Sequence, residues 1–426
     1  MNANSILNKK SSYVYSHSIY SALIFLFLVF SLPKSNAQAF THFNTSNSGI
    51  PENLVHCITI DNNGTKWVGT DFGLATFDDV TWTVYSTFNS GLPNNSVRCI
   101  YIDSNHVKWI GTLDGGLTRF DGTNWQSYNT FNSNICNDLI NDIKPDTAGD
   151  LWLATLNGLS HFKNNTFINY QKGNYPFLTD HFSKIYVNPD DSKILCTING
   201  GLVTMTDTTF EVYTSFFNNF PDNSQLDIVR DQNGIYWMAA VYGGLIAYFG
   251  VNSWTTYNST TSAIPFDGLS GLQFDNAGKL WISTGGDGII LKQGIQFTEY
   301  NISNSAIGDN YINDITLDSA GNIWICSASA GLIKVNPLAL PLKEDAQKET
   351  IKLFPNPAHN YVYINSKLAI QNISITNIDG NQIDSIPFNF NDAIAKIDLS
   401  NYKPGIYFFK LTIQNGEVVY KKIIKN

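Results

Sequence analysis

Residues 97–128 read VRCIYIDSNHVKWIGTLDGGLTRFDGTNWQSY. An apolar run, Val97 to Ile102, has the composition of a strand buried on both faces. Asp103 opens a turn into the strand holding Lys108-Trp109-Ile110-Gly111-Thr112. Gly115-Gly116 leads into a third run ending at Phe120, and a fourth carries the aromatic pair Trp125 and Tyr128. Four short β-type runs separated by turn residues make one antiparallel unit.

The unit recurs. Aligned on its tryptophan, copies stand at Trp67, Trp109, Trp152, Trp237, Trp281 and Trp324, with Leu195 taking the place of tryptophan in the fourth; the intervals are 42, 43, 43, 42, 44 and 43 residues. A period near 43 built from short strands is that of a β-propeller blade. The turn before the tryptophan reads Asp-x-x-Gly-x-x-Trp in five copies, from Asp61, Asp146, Asp231, Asp275 and Asp318; His106 replaces the glycine in the second copy and Pro189-Asp190-Asp191-Ser192 replaces the motif in the fourth. Aspartate caps such a turn through its side chain and glycine takes the positive φ of a tight hairpin.

The fourth-strand aromatic pair appears at Trp82/Tyr85, Trp125/Tyr128, Phe167/Tyr170, Phe210/Tyr213, Trp254/Tyr257 and Phe297/Tyr300, and is missing after Trp324. Its counterpart stands ahead of the first copy, as Phe40-Thr41-His42-Phe43. Phe43 precedes Trp67 by 24 residues, the offset that also separates Tyr85 from Trp109 and Tyr300 from Trp324. The expected fold is therefore all-β: a seven-bladed propeller closed by the N-terminal strand, which removes exposed sheet edges, followed by a small C-terminal β-sandwich. The expected organisation is a signal peptide over residues 1–37, the propeller over 38–338, a linker over 339–349 and the C-terminal domain over 350–426. Lys9 and Lys10, the apolar run Ala22 to Phe30 and the small residues Ser35-Asn36-Ala37 carry the leader assignment.

Bulk composition narrows the function. The chain of 426 residues has a formal charge of −9 and only three arginines, Arg98, Arg119 and Arg230, so the clustered cations needed to hold nucleic acid are missing. Its five cysteines, Cys57, Cys99, Cys136, Cys196 and Cys326, show no CxxC spacing; Cys57 and Cys99 share a repeat position, which leaves a bridge open. No HExxH or GxSxG motif occurs, and no arginine triad of the sialidase kind. His161 reads as a structural side chain. No catalytic residue, metal or cofactor is expected, and no transmembrane segment in the mature chain.

A binding site is expected on the face built by the loops joining strands two to three and strand four to the next blade. Its candidates are Asp71, Phe72, Asp114, Asn157, Asn199, Tyr242 and Asp287, because aromatic faces beside Asp and Asn acceptors suit sugars, although all are also ordinary turn residues. Phe88, Phe131 and Phe217 recur nearly in register and are read as packing between blades.

The copies resemble the two-component regulator propeller repeat: Trp109-Ile110-Gly111-Thr112, Gly115-Gly116-Leu117 and Phe120 follow its pattern. The resemblance implies a sensor-type propeller of the kind that recognises carbohydrate. The segment from Leu353-Phe354-Pro355-Asn356-Pro357, through Pro404-Gly405-Ile406-Tyr407, to the basic terminal strand resembles the type A sorting domain of the type IX secretion system. That resemblance implies a Bacteroidetes-type host, contact with the secretion machinery, and a secreted or surface-attached product. Three functions stay open: a non-catalytic binding propeller with a glycan or protein ligand, a structural or adhesive surface protein, and a polysaccharide-active enzyme.

Overall fold

The computed structural model describes residues 39–250, 252–340, 351–366, 370–377, 381–387, 394–413 and 418–426. The leader assigned to residues 1–37 lies outside them, as does most of the linker. No helix among the described residues is long and apolar enough to cross a membrane. The chain divides into two compact units, Met1–Leu340 and Pro341–Asn426.

The first unit contains seven four-stranded antiparallel sheets. Blades 1 to 6 begin at Val55, Val97, Ile140, Phe182, Gln225 and Leu269, and each uses four consecutive strands. Blade 7 takes three strands from Ile312–Val335 and its fourth from the start of the chain, where Phe40–Phe43 pairs with Leu332–Val335. Packing closes the ring as well. Phe43 stacks on Trp324 with ring centroids 5.7 Å apart, and Trp324, Cys326 and Leu332 of blade 7 share a core with Val55, Ile58 and Val68 of blade 1.

The Asp-x-x-Gly-x-x-Trp turn of blade 1 is a closed hydrogen-bond unit, and the turn aspartates of blades 2, 5, 6 and 7 hold their tryptophans in the same way. Asp61 Oδ1 accepts from the backbone N–H groups of Asn63 and Thr65 (2.9 and 3.0 Å), and its Oδ2 accepts from Trp67 Nε1 (3.1 Å). His106, in the glycine position of blade 2, takes a φ of +60°. In blade 4 the strand register pairs Ile194 with Tyr186 and Thr204, as Trp152 pairs with Lys144 and His161 in blade 3. The residue replacing tryptophan is therefore Ile194 and not Leu195; spacing alone cannot separate two adjacent apolar residues.

The reading of Phe88, Phe131 and Phe217 as interblade packing is corrected: their exposures are 95%, 96% and 71%. The loop's buried anchor lies seven residues after the fourth-strand aromatic, at Ile50, Leu92, Ile135, Phe177, Phe220, Ile264 and Ile307, all 5% exposed or less. With that residue filling the gap between blades, the earlier ring is left outside. All five cysteines are free, and the Cys57–Cys99 bridge is not formed.

The second unit has a three-stranded sheet (Ile351–Phe354, Tyr361–Ser366, Ile394–Asp398) and a four-stranded one (Gln382–Pro387, Ile370–Asn377, Gly405–Ile413, Val418–Lys425). Alternating residues such as Ile364, Ile373, Ile375, Phe409, Leu411 and Ile423 form its own core, as a small sandwich requires.

Candidate ligand-binding face

The face carrying the 2–3 turns and the 4–1 crossovers is held by a repeated scaffold. Two residues before each first strand stand Asn53, Asn95, Asp138, Asp180, Asn223, Asp267 and Asn310. Each side chain accepts from a backbone N–H of the preceding crossover at 2.5–2.9 Å. Their carbonyls accept from a glycine N–H of the neighbouring 2–3 turn, as Gly116 donates to Asp138 (3.0 Å). Gly116 has a φ of +76°, and a Cβ there would stand 2.1 Å from the Tyr128 carbonyl oxygen. Only glycine lets the chain approach this closely.

One residue further upstream the copies read Glu52, Asn94, Asn137, Thr179, Asp222, Phe266 and Asp309. The polar members cap local backbone. Asp222 accepts from Ser224, Tyr242 and Gly243 N–H groups (2.8, 2.9 and 2.7 Å), and Asp309 does the same for Tyr311 and Ser329 (2.9 and 2.7 Å). Phe266 cannot accept a hydrogen bond. Its ring lies against Gly268 and Gly286, where an added Cβ would stand 2.9 and 3.1 Å from it. Between blades 5 and 6 this opens a cleft of about 570 Å³, walled by Leu226, Val241, Tyr242, Pro265 and Phe266. Pockets of roughly 300–1,000 Å³ commonly take small ligands. Tyr242 is 81% exposed at its edge. The polar groups present are fixed: Asp267 accepts from the N–H and hydroxyl of Ser259 (2.7 and 2.6 Å), and the Ser270 hydroxyl donates to the Ile312 carbonyl. An aromatic wall beside a few oriented oxygens can stack a flat apolar ring face and accept its hydroxyls.

A second polar group sits where blades 1 and 2 meet the central channel. Asp71 Oδ1 lies 2.9 Å from His56 Nε2, accepts from the Ser96 hydroxyl, and is 3.5 Å from Arg98. Arg98 in turn lies 3.2 Å from His56 Nδ1. Arginine is always a donor, so His56 is the tautomer protonated on Nε2. Burial and the Arg98 charge hold its pKa below the usual histidine value. Burial opposes ionisation of Asp71, but its Ser96 and His56 bonds prevail and lower its pKa. Both His56 nitrogens are engaged, which leaves neither as a free base. The channel is about 580 Å³, and aspartates at one strand position link neighbouring blades across it. Asp142, Asp227 and Asp314 accept from the N–H groups of Ile185, Leu272 and Ile58 at 3.0, 2.8 and 3.1 Å. Lys184 lies 3.4 Å from Asp227 and 4.0 Å from Asp142.

The seven residues singled out in the sequence all lie on 2–3 turns, spread over blades 1 to 6. Tyr242 belongs to the cleft and Asp71 to the His56 group. Phe72 is 61% exposed. Asp114 and Asn157 are exposed, and Asn199, with a φ of +62°, is bonded through its N–H to the Ser224 hydroxyl (3.0 Å). Asp287 is half-buried and accepts from Asn301 Nδ2 (2.9 Å). Missed were Phe266, whose signal is an aromatic in a column otherwise polar, and His56 with Arg98, which read as ordinary strand residues.

Residues 352–426 match the family model of the secretion system C-terminal sorting domain, and residues 91–114 and 306–329 match the two component regulator propeller. The chain joins regulator-type propeller repeats to a secretion-system sorting domain. The sorting domain at residues 352–426 makes this a secreted or cell-surface protein. No curated protein matches it. Among solved structures it is similar to the extracellular domain described as that of a hybrid two-component system from B. thetaiotaomicron, at 18% identity over 91% of this chain and 58% of that one, with a TM-score of 0.62. PorZ of Porphyromonas gingivalis, described as a surface component of the type-IX secretion system, matches at 14% over 91% and 60%, with a TM-score of 0.58. Virginiamycin B lyase from Staphylococcus aureus matches at 15% over 70% and 98%, with a TM-score of 0.57. The propeller chain thus spans about three-fifths of the first two relatives, and at these identities the likeness is one of fold.

Proposed function

We propose that this is a non-catalytic binding propeller, exported through the type IX system, that takes carbohydrate in the cleft between blades 5 and 6. The observation that carries the reading is Phe266. Six of seven copies spend this position on backbone capping or a polar side chain, and blade 6 gives it up for a half-buried aromatic that lines the same cleft as Tyr242. Departures from an otherwise consistent repeat concentrate at functional sites. Carbohydrate fits because the cleft offers aromatic faces and fixed oxygens without a free catalytic pair.

A protein ligand is the second reading. It is favoured by Phe88, Phe131 and Phe216, which project from the crossovers at 95%, 96% and 85% exposure; exposed aromatics of this kind mark protein contact surfaces.

The test is an array of neutral and acidic glycans probed with the chain from Gln38 onward, with Phe266→Asn and a combined Phe88→Ser/Phe131→Ser/Phe216→Ser variant alongside. Selective binding lost in Phe266→Asn and kept in the triple variant supports the cleft. Loss only in the triple variant moves the site to the crossovers, and silence across the array removes the carbohydrate reading.

A further inference from the structure

Blade 3 departs from the repeat at two places that meet. In blades 1, 2, 5, 6 and 7 the turn aspartate takes the tryptophan Nε1–H at 2.9–3.2 Å. In blade 3 His161, directly across the strands from Trp152, lies with its Nε2 at 3.1 Å from Asp146 Oδ2 instead. The fifth turn position is also an acid here, Asp150, where other blades have Thr65, Val107, Ile235, Lys279 and Asn322. The donor atoms of Asp146, Asp150 and His161 lie within 4.8 Å of one another. Trp152, 3% exposed and stacked on His161 at 4.1 Å, is left with its Nε1 buried and without a partner. In the sister blades the same atom points at this very carboxylate. A buried donor with no acceptor in a polar pocket indicates a missing ligand or water.

We propose that blade 3 carries a site for one Zn²⁺ ion, held by His161 Nε2 and the carboxylates of Asp146 and Asp150. Imidazole nitrogen and carboxylate oxygen are both ligands that zinc takes, and three protein ligands leave a fourth position for water. That water supplies the acceptor Trp152 Nε1 lacks. Two carboxylates balance the ion's charge. The Lys163 ammonium, now 2.7 Å from Asp150 Oδ2 on a half-exposed side chain, is the cation the metal displaces. The site lies at the 1–2 turn, the end of the blade away from the ligand-binding cleft, so it ties the Asp146 turn to the third strand and takes no part in that cleft. Sequence reading, which expects no metal, passes over it because both aspartates look like turn residues and His161 follows eleven residues later.

The test is titration of Zn²⁺ into the tag-free chain by calorimetry, with the tryptophan indole N–H resonances recorded in parallel and Trp152 assigned from Trp152→Phe. The expected result is one Zn²⁺ per chain and a shift confined to the Trp152 indole signal. Binding should weaken at least tenfold in His161→Gln, which keeps a donor for Asp146, and in Asp150→Asn at the half-buried second carboxylate. It should tighten in Lys163→Met. Zn²⁺ bound equally by wild type and His161→Gln, or not bound by either wild type or Lys163→Met, overturns the proposal.

Discussion

Blades 5 and 6 fold on one register yet treat the same face in opposite ways. Blade 5 spends Asp222 on three backbone N–H groups, and its 2–3 turn is closed down onto that carboxylate. Blade 6 places Phe266 there, gives its turn no such cap, and keeps a cleft. The difference continues inside the channel. Asp227 of blade 5 reaches across to the Leu272 N–H of blade 6, where the corresponding residue is Gly271 and no carboxylate reaches onward. The scaffold is thus carried by repeated polar and apolar columns, and function is to be sought where a column breaks.

The largest break in that scaffold should come from the buried crossover anchor. Phe220→Ala, at 1% exposure, is expected to cost about 3–5 kcal/mol, read from the urea midpoint. Loss of the cap comes next. Asp222→Ala leaves three backbone donors uncapped and should cost about 1–3 kcal/mol, whereas Phe266→Asn in blade 6, which removes a half-buried ring packed on the core, should cost less, about 1 kcal/mol. A pH series then separates the channel carboxylates. Burial pushes the Asp314 carboxyl up to about 6, although Lys184 pulls the other way. A folded-state pKa above the unfolded one favours the native state at low pH, and that benefit is lost as pH rises through about 6. Asp314→Asn, which still offers an acceptor to Ile58, should therefore match wild type near pH 4 and melt a few degrees higher at pH 8. The smallest effect belongs to Phe131→Ala, expected within about 0.5 kcal/mol of wild type because its ring is in water. A loss comparable to that of Phe220→Ala would restore the packing reading.

The architecture was legible because it repeats. Seven copies with their Asp-x-x-Gly turns predict the blades, and the displaced Phe40–Phe43 strand predicts that they close into a ring. Single residues were less legible. Ile194 and Leu195 are both apolar, and only the ladder tells which one stands in the tryptophan column. Phe131 and Ile135 are both apolar loop residues, and the path of the crossover decides which one is buried. The residues named for the candidate face share one set of loops, the 2–3 turns, but composition alone selects them. Tyr242 lines the same cleft as Phe266. Phe266 is visible only against the polar residues that the other six blades place in its column.

The most direct test of the central claim is to titrate the strongest array glycan into wild type and Phe266→Asn by calorimetry, with melting curves for both. A ligand stacked on Phe266 predicts affinity weakened by about tenfold or more, the equivalent of roughly 1.4 kcal/mol, with the variant still folded and its melting temperature lowered by only about a few degrees. Equal affinity in the two proteins would contradict it and take the ligand out of the cleft between blades 5 and 6.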